Sequence, residues 1–230
     1  MKTPRLAVTV LAALALALAG CAPSAPASST PSPTGPAVSE TPTPEPEPVA
    51  TEIIVSGAGF TVIDSSGATV FTHVWADEVA PAVAVLTDAF QLEPTMSTRD
   101  GSGGHYADFD LYTWGAFTLG DAVGLEKARA DYFLPSLVEV TAAEVEGISV
   151  LAASGVGVGS TVASVEGIEP LIRSADEDAA YFAYLVDPVD PAAVPYVDGG
   201  EITDMVQLQA DPTDTTITLL KAPVLSYYPF

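Results

Sequence analysis

The densest chemistry in this chain lies at residues 99–110, Arg99-Asp100-Gly101-Ser102-Gly103-Gly104-His105-Tyr106-Ala107-Asp108-Phe109-Asp110, where an imidazole, three carboxylates and a hydroxyl fall close together. His105, Asp108 and Asp110 are the candidate ligands for a transition metal. The carboxylates with nearby carbonyls offer the hard oxygens of which calcium takes about six to eight. No EF-hand spacing is present, and a Gly/Ser cluster between periodic segments reads as a polar connecting loop. The expectation is therefore that neither a metal nor a cofactor is held here.

Aromatic side chains crowd the same region: Tyr106, Phe109, Tyr112, Trp114 and Phe117. If residues 109–119 form one strand, Tyr112 and Trp114 share one face while Phe109 and Phe117 lie on the other. One of those faces is core. Tyr106, Tyr112 and Trp114 form the candidate binding surface, because amphipathic aromatics stack on sugars or on a partner's side chains unless a helix or second sheet covers them.

Recognised catalytic patterns are scarce. There is no Gly-x-Ser-x-Gly elbow and no His-Glu-x-x-His zinc pair, and His73 and His105 are the two imidazoles available to a triad. Gly155-Val156-Gly157-Val158-Gly159-Ser160 has glycines between a strand and a helix, but the third small residue of a dinucleotide turn, three after the second glycine, would have to be Ser160. The abundant carboxylates leave paired-acid glycoside chemistry open.

The elements that must position these residues begin after residue 50, where Pro-rich sequence gives way to alternating Val, Ile, Thr and aromatics. Residues 59–70 (Gly59-Phe60-Thr61-Val62-Ile63-Asp64-Ser65-Ser66-Gly67-Ala68-Thr69-Val70) align at a constant offset with 147–158 (Gly147-Ile148-Ser149-Val150-Leu151-Ala152-Ala153-Ser154-Gly155-Val156-Gly157-Val158). Each copy reads as strand, Ser-Gly turn, strand. After the first, Asp77 caps a helix whose Val79, Val83, Leu86 and Phe90 form one apolar stripe, with Pro81 in its first turn. After the second, Ser160-Thr161 starts a shorter helix with Val162 and Val165 inward. Further strands are expected at 132–140, 181–186, 205–209 and 215–220. The fold expected is α+β, an antiparallel sheet with helices on one face, in two related hairpin-helix-strand halves at 51–143 and 144–230.

The first twenty residues read as a processing segment: Lys2 and Arg5, then an apolar run at 6–18 too short to cross a bilayer, then Leu18-Ala19-Gly20-Cys21. This Leu-Ala-Gly-Cys lipobox resembles that of bacterial lipoproteins. The composition, with three lysines among abundant Ala, Val, Gly and Pro, is similar to that of actinobacterial surface lipoproteins. The resemblance implies cleavage before Cys21 and a diacylglyceryl thioether on its sulfur. Two acyl chains suffice for stable membrane attachment, since each buried CH2 contributes about 0.8 kcal/mol. Residues 21–50 then serve as the lipidated cysteine and a tether. Nine prolines lie among its Ser, Thr and Ala, a composition that favours extended polyproline II.

Without Lys2 and Arg5, five basic residues face thirty acidic ones, a net charge of −25. Such a chain is repelled by nucleic acid and by anionic headgroups. With Cys21 lipidated no thiol remains for disulfides or thiol chemistry. The function expected is that of a non-catalytic, lipid-anchored protein at the outer face of the cell membrane. It would bind an envelope protein or cell-wall glycan through a sheet face or edge. The alternatives are a lipoprotein that binds calcium or carbohydrate through residues 99–110 and the aromatic strand, and a carboxylate-dependent envelope hydrolase.

Overall fold

A computed structural model of the chain describes residues 48–101, 107–132, 134–165, 171–176, 179–189, 204–211 and 215–225. Cys21 and the rest of the leader and tether up to residue 47 lie outside the described residues. Among those described, the chain forms thirteen strands and one α-helix. In order these are β1 (Ala50–Ser56), β2 (Gly59–Asp64), β3 (Thr69–Val74), α1 (Val79–Phe90), β4 (Thr95–Arg99), β5 (Asp108–Trp114), β6 (Phe117–Val123), β7 (Ser136–Val140), β8 (Glu144–Val145), β9 (Ile148–Ala152), β10 (Leu171–Asp176), β11 (Ala179–Val186), β12 (Asp204–Ala210) and β13 (Ile217–Leu225).

The strands make two sheets. A five-stranded sheet has the order β3-β2-β1-β9-β8, and an eight-stranded one the order β10-β11-β12-β13-β7-β6-β5-β4. All pairings are antiparallel except that of β1 with β9. Alternation along the strands buries one face of each sheet: Ile53, Val55, Phe60 and Val62 from the smaller meet Val138, Val140, Val206, Leu208 and Leu220 from the larger in one core. Strands from 51–143 and from 144–230 share each sheet, because β9 lies beside β1 and β13 beside β7.

The α+β expectation is thus corrected: this is a β-sandwich in which the second sheet, not a layer of helices, covers the first. Periodicity along a strand reports that a face is buried and is silent about what buries it. The helix α1 runs between the sheets on one side, approaching β3 and β5 and burying Val79, Ala82, Leu86 and Phe90. Pro81 lies in its first turn, where an N–H has no intrahelical partner. The N-cap is Glu78 rather than Asp77, whose Oδ2 instead accepts the Val74 N–H at 3.3 Å. The second helix is reduced to a 3-10 turn at Val162–Ser164. Only five residues separate Thr161 from Gly167, too few for a helix to offset its nucleation cost.

A second correction concerns residues 109–119, which are not one strand. The chain reverses at Gly115-Ala116, with Gly115 in the left-handed region at φ 56, to give the β5–β6 hairpin. Trp114 and Phe117 are therefore cross-strand partners on one face, with ring centroids 6.3 Å apart.

Candidate functional site

Phe71, His73 and Trp75 alternate along β3 and its end, and their side chains enter the core. His73 is 1% exposed and lies 5.2 Å from the Phe60 ring and 6.0 Å from the Trp75 ring. Its Nε2 is 3.1 Å from Oγ of Ser136, a fully buried residue of β7. Ser136 Oγ donates its one proton to the Trp75 carbonyl at 2.7 Å. The imidazole is therefore the donor to the hydroxyl. Burial pushes the His73 pKa down to about 4; Asp77 opposes this and Arg129 adds to it. A nucleophilic serine needs the opposite polarity, with its proton directed to the base. His73 and Ser136 are instead a neutral tie between the two sheets, supported by the Trp75 indole N–H donating to the Gly57 carbonyl at 2.7 Å.

This pair escaped the sequence reading because its members are far apart in the chain. The available signal was the alternation Phe71-x-His73-x-Trp75, which marks the histidine as core.

Of the candidates at 99–110, His105 and Tyr106 lie outside the described residues. Asp108 is exposed and accepts the Gly101 N–H at 2.8 Å. Asp110 sits on β5 between Thr98 of β4 and Asp121 of β6. Among the described residues no group of three or more His, Cys, Asp or Glu side chains is placed to hold a metal ion.

Trp114 is 0% exposed, packed against Phe90 of α1 with the rings tilted and their centroids 5.9 Å apart, and has no place on a binding surface. The face it shares with Tyr112 is the core face. Its indole nitrogen is buried without a hydrogen-bond partner among the described residues, an internal cost to the fold. Tyr112 remains at the margin, partly exposed. Burial raises its pKa, with Asp121 and Asp110 acting in the same direction.

Arg129 is turned inward at this end of the sandwich. Arg129 donates to Asp121 at 2.7 Å and to the carbonyls of Pro135 and Ala122. Burial still pushes the Asp121 carboxyl upward, against the arginine's pull. On the outer face of the larger sheet, Glu139 Oε1 accepts from both Arg99 and Lys221, each at 3.0 Å. Burial raises the Glu139 pKa, but Lys221 and Arg99 together outweigh it and hold the carboxyl below its usual range.

What these pairings leave open is β4, the last strand of the larger sheet. It runs in unbroken register with β5 from Thr95–Thr113 to Arg99–Phe109, and Thr95, Met96, Ser97 and Thr98 are all exposed, Met96 by 61%. Glu93, Asp100, Asp108 and Asp110 surround it, and none is paired with a cation among the described residues. On the other side of α1, Val49, Val62, Val70, Val85 and Ala89 line an open apolar groove of about 570 Å³ with Asp88 at its rim. Nothing in it offers the convergent polar groups of a built small-molecule site. Comparison with family models, with curated proteins and with solved structures finds no match for the chain.

Proposed function

We propose that this chain is a non-catalytic, lipid-anchored protein of the cell envelope that binds a protein or other envelope component through an edge of its sandwich. The observation that carries the reading is the regular edge at β4, uncovered among the described residues, whose outward backbone groups are a template for another strand. The polarity of the His73–Ser136 pair supports a binding role over an acyl-transfer one. The lipobox at Leu18-Ala19-Gly20-Cys21 and the Pro-rich segment that follows support attachment at the outer face of the membrane, with the domain held away from the lipid.

Photo-reactive residues introduced at the exposed positions Met96, Val70 and Val189 of the full chain, in intact cells, test the binding reading. Recovery of the same neighbour in repeated experiments is expected from at least one position. Three silent positions would overturn it. Cys21→Ser is expected to abolish lipid labelling, and unchanged labelling would remove the anchor.

A further inference from the structure

We propose that β4 accepts one extended, cationic segment of a partner polypeptide as a ninth strand of the larger sheet. This rests on the binding reading above and gives the partner a chemistry.

The first ground is the backbone. In an antiparallel pair, alternate residues of an edge strand direct N–H and C=O groups away from the sheet. Natural edges are usually blunted by proline, a bulge or outward charge. β4 has none of these: its register with β5 is continuous, Pro94 precedes it rather than interrupting it, and its one charge, Arg99, is drawn onto Glu139. The opposite edge of the same sheet, β10, differs, since its pairing with β11 shifts between Ser174 and Asp176.

The second ground is what the side chains offer an incoming strand. Met96 and Thr98 stand opposite Tyr112 and Asp110 and so share their face, while Ser97 stands opposite Leu111 on the other. A strand laid along β4 meets an apolar step at Met96–Tyr112, followed by a carboxylate at Asp110. With strands about 4.8 Å apart, a lysine beside Thr98 starts about 10 Å from the Asp110 strand and reaches back toward it along its own length. Glu93 lies before the strand and Asp100 and Asp108 beyond it, while Arg99 and Arg129 are already paired. The potential at this edge is therefore negative, and the complementary segment is basic with apolar residues interleaved. A second copy of this chain would bring the same carboxylates to the junction, against a net charge of −23 on the sequence as it stands.

The test is anisotropy of a labelled peptide of alternating lysine and valine, with its glutamate counterpart as control, titrated with the full chain. The lysine peptide is expected to bind and to weaken about tenfold from low to high salt, and the glutamate peptide not to bind. Ser97→Pro and Thr98→Pro are made separately, because one of two adjacent residues points its N–H outward. One of them is expected to abolish binding with an unchanged melt, and Asp110→Asn to weaken binding and flatten its salt dependence. Equal binding of the two peptides, no binding of either, or binding that survives both proline variants would overturn the proposal. Sedimentation showing a dimer that either proline variant dissociates would also overturn it, making the occupant a second copy. If the peptide fails while the residue at Val70 captures a neighbour in cells, the edge assignment falls and the binding reading stands. If the peptide binds as expected and no position captures a neighbour, the edge chemistry holds and the cellular reading falls.

Discussion

Residues 59–70 and 147–158 turn the chain in the same way and then part. In the first, the Gly67 N–H donates to the Asp64 carbonyl and the Asp64 N–H to the Ala68 carbonyl. In the second, the Gly155 N–H donates to the Ala152 carbonyl and the Ala152 N–H to the Val156 carbonyl. Gly67 and Gly155 hold φ of 81 and 80. Even the next residue matches, with Ser65 and Ala153 each donating to a carbonyl of the segment around β1, Val49 and Val55.

Beyond the turn, the first copy continues as β3 and carries His73 into the core. The second runs through Val156-Gly157-Val158-Gly159 without forming a strand. A Cβ at Gly157 would lie 2.7 Å from the Val150 carbonyl, so that segment lies close across its own preceding strand. Similar residues thus fix a local reversal, while the neighbours on each side decide whether a hairpin grows from it.

The largest expected difference between the copies is at their first glycines. A Cβ on Gly59, at φ 157, would stand 1.8 Å from the His73 carbonyl oxygen, whereas one on Gly147 meets nothing within 4 Å. Gly59→Ala must displace β3 and is expected to cost more than about 4 kcal/mol in urea unfolding. Gly147→Ala carries only its positive φ of 82, about 1 kcal/mol. Equal losses would dissolve the distinction.

The next effect is acid sensitivity, which the second copy lacks because Thr161 stands where the first has His73. The folded His73 pKa of about 4 lies below the ordinary 6.5, so the unfolded chain binds the proton more readily between those values. The associated stability is complete above pH 6.5 and is lost as pH falls toward 4. The loss is about 3 kcal/mol. Melts across that window should show the slope in the native chain and not in His73→Phe.

Ser136→Ala leaves both the Trp75 carbonyl and the imidazole N–H without a partner and is expected to cost about 2 kcal/mol by chemical denaturation. Smallest are Gly67→Ala and Gly155→Ala, matched at about 1 kcal/mol each, since both glycines have open space and the same φ. A mismatch between them would show that the shared turn is under unequal load.

Much of the local structure was legible. The Ser-Gly reversals, the apolar stripe of α1 and strands near 181–186, 205–209 and 215–220 all follow from spacing and turn chemistry; β11 and β12 extend beyond those bounds, and β13 starts two residues later and runs on to Leu225. What spacing could not supply was the identity of the cover. Trp114 and Tyr112 alternate as a half-buried strand should, yet whether α1 or solvent lies over Trp114 depends on Phe90, far off in sequence. The hairpin at Gly115 was hidden by aromatics on both sides, which made one apolar run of two strands. The edge strand β4 was invisible for the opposite reason: Thr95-Met96-Ser97-Thr98-Arg99 has no alternation to detect, and its extended form comes from pairing with β5.

The central place of β1 bears on how the domain comes into being in time. Its hydrogen bonds on one side go to β2, available almost at once, and on the other to β9, where Ile53 meets Val150. Closing so long a loop before any contact rewards it makes this a domain of high contact order, of the kind that folds in about milliseconds to seconds rather than microseconds. A chain emerging from its N-terminus keeps one side of β1 unsatisfied until the residues beyond 148 arrive. The newborn first hairpin is therefore the segment most exposed to wrong pairing, and its maturation is governed by the slowest-arriving strand.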